Sequence, residues 1–78
     1  MTRAYILIQT EVGTATAGVA KQIGEIKGVA HSENVTGPYD VIVEAEAPDL
    51  DHLNRDVLQH VQSVPGVTRT LTCPVVRL

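Results

Sequence analysis

The chain has 78 residues, 44% of them hydrophobic and 19% charged, with a formal net charge of −3; that is the balance of one small globular domain, 1–78, and not of a disordered segment. Six Lys and Arg against nine Asp and Glu exclude an electrostatic nucleic-acid binder. No apolar run reaches the roughly 18 residues of a membrane span, Met1–Ile6 lacks the anatomy of a secretory signal, and the single Cys73 cannot close an internal disulfide, so the expected compartment is the cytoplasm.

In chain order, Ala4–Thr10 (AYILIQT) is a short apolar run rich in β-branched residues, and Glu11-Val12-Gly13 behind it reads as a turn. From Thr14 to Lys27 the period changes: Ala15, Val19, Ile23 and Ile26 trace one face of a helix, and Gly28 is placed to end it. Gly18 and Gly24 inside that helix each cost about 1 kcal/mol against Ala, unless a neighbouring element approaches closely there. Val29–Thr36 is mostly polar with weak alternation, an edge-strand pattern, and Gly37-Pro38 breaks it. Tyr39–Ala45 is the second clear apolar strand, closed by Ala47-Pro48.

Asp49 or Asp51 is suited to cap the next helix, where early acids also complement the positive end of the helix dipole. Leu50, Leu53, Val57, Val61 and Val64 form its apolar stripe, and Pro65-Gly66 stops it. Val67–Val76 is rich in Thr and Val and reads as the last strand; Pro74, with no N–H to donate, places it at an edge or at a bulge. The order is β-α-β-β-α-β, with Lys27-Gly28-Val29 echoed by Pro65-Gly66-Val67. Two split βαβ units give an α+β fold, a ferredoxin-like sandwich with a four-stranded antiparallel sheet and both helices on one face. Right-handed crossovers put the first and third strands, the most apolar ones, in the centre.

Such a sheet leaves one face without helices, and its central strands should then alternate apolar and polar. Here they do not: Ile6 and Ile8 oppose Tyr5 and Leu7, and Val41 and Val43 oppose Ile42. With no Phe and no Trp, the core is built from Val, Ile, Leu and Ala, thin for a chain this short. Tyr5, Leu7 and Ile42 are therefore expected to form an interface with a second copy, the usual remedy where disulfides and aromatic anchors are both missing.

Little in the sequence points to catalysis. His52 and His60 lie eight residues apart on roughly one helix face without a completing ligand, and read as solvated side chains; His31 reads as a surface residue. Cys73 reads as a small buried hydrophobe. Glu44 and Glu46 share one strand face and read as solvated acids, and no nucleotide, thiol or nucleophile motif is present. Neither a metal nor a cofactor is expected. What remains is the turn Gly37-Pro38-Tyr39-Asp40: a glycine that frees backbone N–H groups for a carboxylate, Asp40 for an ammonium, and Tyr39 as a flat wall with one polar handle. Pro38 removes one donor from that nest. Thr68, Thr70 and Thr72 on the last strand offer further hydroxyls, although Thr alternation is also ordinary strand chemistry.

The run Val35-Thr36-Gly37-Pro38-Tyr39-Asp40-Val41-Ile42-Val43 resembles the GxYD-plus-strand element of the Lrp/AsnC effector-binding (RAM) domain, and Val64-Pro65-Gly66-Val67-Thr68-Arg69-Thr70-Leu71-Thr72 resembles its PGV-x-x-T-x-T element. The resemblance spans essentially the whole chain. It implies a ferredoxin-like domain that pairs through its sheets, assembles further into rings such as octamers, and holds an amino-acid effector between dimers. It also implies Gly37, Tyr39, Asp40, Thr70 and Thr72 as ligand-binding positions. Full-length members carry a helix-turn-helix domain ahead of this one; with the first strand starting at residue 4, the expectation is the stand-alone form. That form would modulate transcription or amino-acid metabolism, with DNA-binding relatives as candidate partners and no nucleic acid bound directly. A small enzyme of the dimeric αβ-barrel kind, with a pocket between helices and sheet lined by His31 and an acid, is the alternative. A purely structural oligomerisation domain is the third.

Overall fold

The computed structural model describes residues 1–76 and contains β1 (Thr2–Thr10), α1 (Thr16–Gly24), β2 (Val29–Asn34), β3 (Val41–Ala47), a second helix and β4 (Val67–Pro74). Arg77 and Leu78, part of the expected domain, lie outside the described residues. The second helix, α2, runs through three consecutive segments, Leu50–His52, Leu53–Leu58 and Gln59–Gln62, the middle one with π geometry. The sheet is antiparallel in the order β2-β3-β1-β4, so the two apolar strands occupy its centre as the crossover rule requires.

Register sorts the side chains. β1 pairs with β3 so that Ile6 faces Val43 and Ile8 faces Val41, and both rows are fully buried under the helices with Ala4 and Ala45. Val19, Ala20 and Ile23 of α1 and Leu53, Val57 and Val61 of α2 close the core from the other side. Among the described residues, the buried core contains no polar side chain and no aromatic ring. Each fully buried Val, Leu or Ile contributes about 1.5–3 kcal/mol by removal from water.

Several element ends differ from the sequence reading. β1 begins two residues earlier, at Thr2, and β3 begins at Val41 instead of Tyr39, because Tyr39 and Asp40 complete the turn from Val35, whose N–H donates to the Asp40 carbonyl at 2.9 Å. β2 stops at Asn34 for the same reason. β4 ends at Pro74, an edge position where the missing N–H faces no ladder partner; the Val75 N–H still donates to the Arg3 carbonyl at 2.8 Å. α1 is shorter than expected and covers Thr16–Gly24; Ala15 is its N-cap and is exposed, so it does not belong to the buried stripe. Leu50, expected as the first member of the α2 stripe, is 45% exposed; Leu53 begins the buried face. Asp49, not Asp51, is the N-cap, its carboxylate accepting the His52 N–H at 2.8 Å.

The two helix glycines are not close approaches. Nothing lies within 4 Å of a Cβ built on Gly18, and the nearest atom to one on Gly24 is Ser32 Cβ at an ordinary 3.7 Å. Gly28 is one of two crowded glycines, with Gly66 against Thr14 the other. Gly28 has φ +100°, and a Cβ there would stand 2.7 Å from Val57 Cγ2 and 3.1 Å from the Glu46 carbonyl oxygen.

Candidate functional site

Two regions carry the residues singled out by the sequence: the helix-free face of the sheet and the turn between β2 and β3. On the open face, register places Leu7 of β1 between Ile42 of β3 and Leu71 of β4, an apolar row across three strands. Tyr5 lies in the next row, between Glu44 and Cys73. Leu7 and Ile42 are half-buried by their neighbours, while Tyr5 is 42% and Leu71 48% exposed. Tyr5, Leu7 and Ile42 thus share one face, as expected, and Leu71 joins them. The sequence reading missed Leu71 because the phase of β4 is fixed only by its pairing with β1.

Cys73 corrects an expectation. It is exposed, on the same open face, not a buried filler, because its register partner is Tyr5 and the helices cover the other side. Arg3 was also missed. Its guanidinium bonds Glu44 Oε1 at 2.6 Å and reaches Glu46 Oε1 at 3.8 Å, tying together the two acids read as merely solvated. The hydrogen bond to Glu44, and then its charge, holds the Arg3 guanidinium above its ordinary value. His31 of β2 is exposed beside Glu44 on this open face, so it lies away from the space between helices and sheet where an enzyme of the αβ-barrel kind would need it.

The turn is organised by Asp40. Gly37 adopts φ +130°, a conformation that favours glycine, and lets the chain reverse before Pro38. The Asp40 N–H donates to the Ile8 carbonyl at 2.9 Å, and its Oδ2 accepts both the Thr10 N–H at 2.8 Å and the Thr10 hydroxyl at 2.9 Å. Gln9 Nε2 donates to the Pro38 carbonyl at 2.9 Å. The acid expected to meet an ammonium therefore already closes the end of β1, with Oδ1 as the oxygen left over.

Thr70 and Thr72 lie two strands away. Ile8 pairs with Val41 on one side and Thr70 on the other, so Thr70 stands roughly 10 Å across the sheet from the turn. Both threonines share the helix-covered face with Ile6 and Ile8, and the Thr70 hydroxyl accepts from Gln62 Nε2 at 3.0 Å. Two clefts flank this end of the sheet: one of about 580 Å³ lined by Thr16, Asn34, Val35 and Thr36, the other of about 180 Å³ lined by Gln62, Val67, Thr68, Arg69 and Thr70. Neither contains Tyr39 or Asp40. Within a single chain Gly37, Tyr39, Asp40 and Thr70 are thus near one end of the sheet, Thr72 is level with its middle opposite Ile6, and the five do not surround one cavity. No group of three or more His, Cys, Asp or Glu is placed to hold a metal ion among the described residues, and no helix there is long and apolar enough to cross a membrane.

The sequence profile of the Lrp/AsnC ligand binding domain matches residues 3–78. The chain belongs to that family. Among solved structures, TTHA0845 from Thermus thermophilus is 33% identical, with a TM-score of 0.88 over 100% of this chain and 96% of that one. The fold alone is shared with the transcriptional regulator NMB0573 from Neisseria meningitidis, solved as an L-Met complex: 20% identity, TM-score 0.75, 97% of this chain and 50% of that one. Homocitrate synthase from Sulfurisphaera tokodaii is 32% identical over 74 residues, 95% of this chain but 16% of the enzyme. The chain thus spans about a sixth of the length of that curated relative. The Lrp/AsnC assignment makes this a ligand-binding domain with the ferredoxin-like architecture anticipated from its β-α-β-β-α-β order.

Proposed function

We propose that this Lrp/AsnC domain binds a small effector of the amino-acid class, has no chemistry of its own, and works as an assembly of copies paired through the helix-free sheet face. The observation that carries the reading is the apolar row Ile42–Leu7–Leu71 with Tyr5 beside it. A face of this kind on a chain with a purely aliphatic core gains most by being covered, and a second copy offers the same row in return.

The effector site is the turn of Gly37, Tyr39 and Asp40 together with Thr70 and Thr72. The backbone opened by Gly37 suits a carboxylate, and the free Oδ1 of Asp40 suits an ammonium. Since the turn and the threonines are separated by two strand spacings in one chain, a small ligand meets both groups where dimers adjoin, as in a ring. Effector binding then acts on transcription or amino-acid metabolism through assembly with DNA-binding relatives; six basic against nine acidic residues give this chain no phosphate-binding field of its own.

Light scattering and a thermal-shift screen test the two halves. The reading expects a particle of at least twice the 8.4 kDa chain mass at micromolar concentration and a raised melting temperature with one or more of the common amino acids. A particle of the chain mass removes the pairing. A screen without any shift, with Asp40→Asn unchanged in assembly, removes the sensing role.

A further inference from the structure

At the opposite end of β3 from the Gly37–Asp40 turn, a cleft of about 370 Å³ opens between the α1–β2 turn, the start of the β3–α2 connection and the middle of α2. Its lining includes Lys27 and Gly28 of the α1–β2 turn, Glu46 and Pro48 at the end of β3, and Asp56, Val57 and His60 of α2. This size is in the range of small-molecule sites.

The helix forming the far wall is irregular there. α2 takes π geometry over Leu53–Leu58, a widening that is rare and frequently sits at functional sites. Within this stretch the Asp56 carbonyl receives a bond of 2.6 Å from His60 Nδ1. A carbonyl can only accept, so Nδ1 carries the proton; in the neutral ring, Nε2 is then an acceptor. The imidazole is thereby held by Nδ1 against the Asp56 backbone, and both residues line the cleft.

The cleft carries one cation, Lys27, and two acids, Asp56 and Glu46, the second of which reaches Arg3 at 3.8 Å. Lys27 makes no ion pair among the described residues, and Asp56 has only a 3.9 Å contact with its neighbour Arg55, both side chains more than half exposed. A contact so long and so exposed contributes little. Between these charged groups Pro48 is the apolar surface, while Val57 beneath is buried in the core with the Gly28 backbone packed directly on it.

We propose that this cleft is a second ligand site, separate from the turn, for a small zwitterion: a primary ammonium and a carboxylate on a short aliphatic body. The ammonium donates to the Asp56 carboxylate and to His60 Nε2, the carboxylate accepts from Lys27 Nζ, and the aliphatic body lies on Pro48. A ligand with a single charge leaves one wall unanswered, which is why a molecule carrying both signs is specified.

The test is a two-dimensional amide NMR titration of the full chain with a ruler of ω-amino acids: glycine, β-alanine, γ-aminobutyrate, δ-aminovalerate and ε-aminocaproate. Butylamine and butyrate serve as single-charge controls. The expected result is saturable shifts at Lys27, Gly28, Val57 and His60 for the members whose length matches the gap, with little response to either control. Lys27→Met and Asp56→Asn, both at exposed positions and so expected to fold, should each weaken binding about tenfold, and His60→Gln less. The proposal is overturned by the absence of saturable shifts across the series, by controls as effective as the zwitterions, or by variants that bind as the parent does. Shifts confined to Gly37, Tyr39 and Asp40 would overturn this second site and support the turn site instead.

Discussion

The carboxylate of Asp40 holds the last residue of β1 at two points, accepting the Thr10 amide at 2.8 Å and the Thr10 hydroxyl at 2.9 Å through the same oxygen. The turn that carries the family-like motif is therefore also a clasp between strands 30 residues apart in sequence. Removing the carboxylate leaves the half-buried Thr10 N–H without its partner, so Asp40→Ala is expected to lower stability by about 1–3 kcal/mol. Asp40→Asn retains an oxygen at that place and should lose much less. Urea denaturation of the three proteins measures this; equal stabilities would show that the clasp contributes nothing.

Pairing through the open face makes Leu71 a sensitive position. Leu71→Asp puts a charge into the apolar row beside Leu7 while leaving the helix-covered core untouched. The expected outcome is a particle of the chain mass by light scattering, with native circular dichroism retained at high protein concentration. A dimer that survives this change would place the contact elsewhere.

Gly28 tests packing at the cleft end. The left-handed φ of +100° and the 2.7 Å approach to Val57 Cγ2 both oppose a side chain. Gly28→Ala should destabilise by roughly 1–3 kcal/mol. Adding Val57→Ala relieves the clash but not the backbone strain, so the double variant should show a favourable coupling energy in a double-mutant cycle. Strict additivity would mean that the two groups do not meet.

The α2 cap should respond to acid. The His52 amide, and next the His52 ring, bond to the Asp49 carboxylate and hold its pKa below the ordinary 3.8. A carboxyl depressed in the folded state stabilises above its unfolded pKa, and that stabilisation is lost as pH falls through the folded value. Stability should therefore decline below about pH 4 in the parent, while Asp49→Asn, which caps without a charge, should lose this component. Thermal melts between neutral and strongly acidic pH compare the two. Parallel profiles would remove Asp49 from the acid response.

Much of the fold was legible because β1 and β3 have a period of two on each face. Ile6 and Ile8, Val41 and Val43 declared the covered side, and Tyr5, Leu7 and Ile42 the open one, without any knowledge of pairing. What required pairing was not legible. Leu71 and Cys73 join the open face only because β4 is registered with Leu71 opposite Leu7 and Cys73 opposite Tyr5. Arg3 meets Glu44 across 41 residues of sequence, a separation that no local pattern encodes. The π segment of α2 was hidden for a different reason: Leu53, Val57 and Val61 keep an ordinary helical spacing, so the apolar stripe carries no trace of the widening. At the turn, Gly37 and Asp40 were recognised by residue type, but the engagement of Asp40 with Thr10 is a tertiary contact.

The absence of aromatic rings from the core has a practical consequence. With no Trp in the chain, its ultraviolet emission comes from two phenols alone, and they stand at separate places: Tyr5 on the open sheet face, Tyr39 in the turn. The molecule carries its own pair of optical labels. A Tyr39→Phe protein emits only from the face offered to a second copy, a Tyr5→Phe protein only from the turn, so association and effector capture can each be followed by the intrinsic light of a single ring.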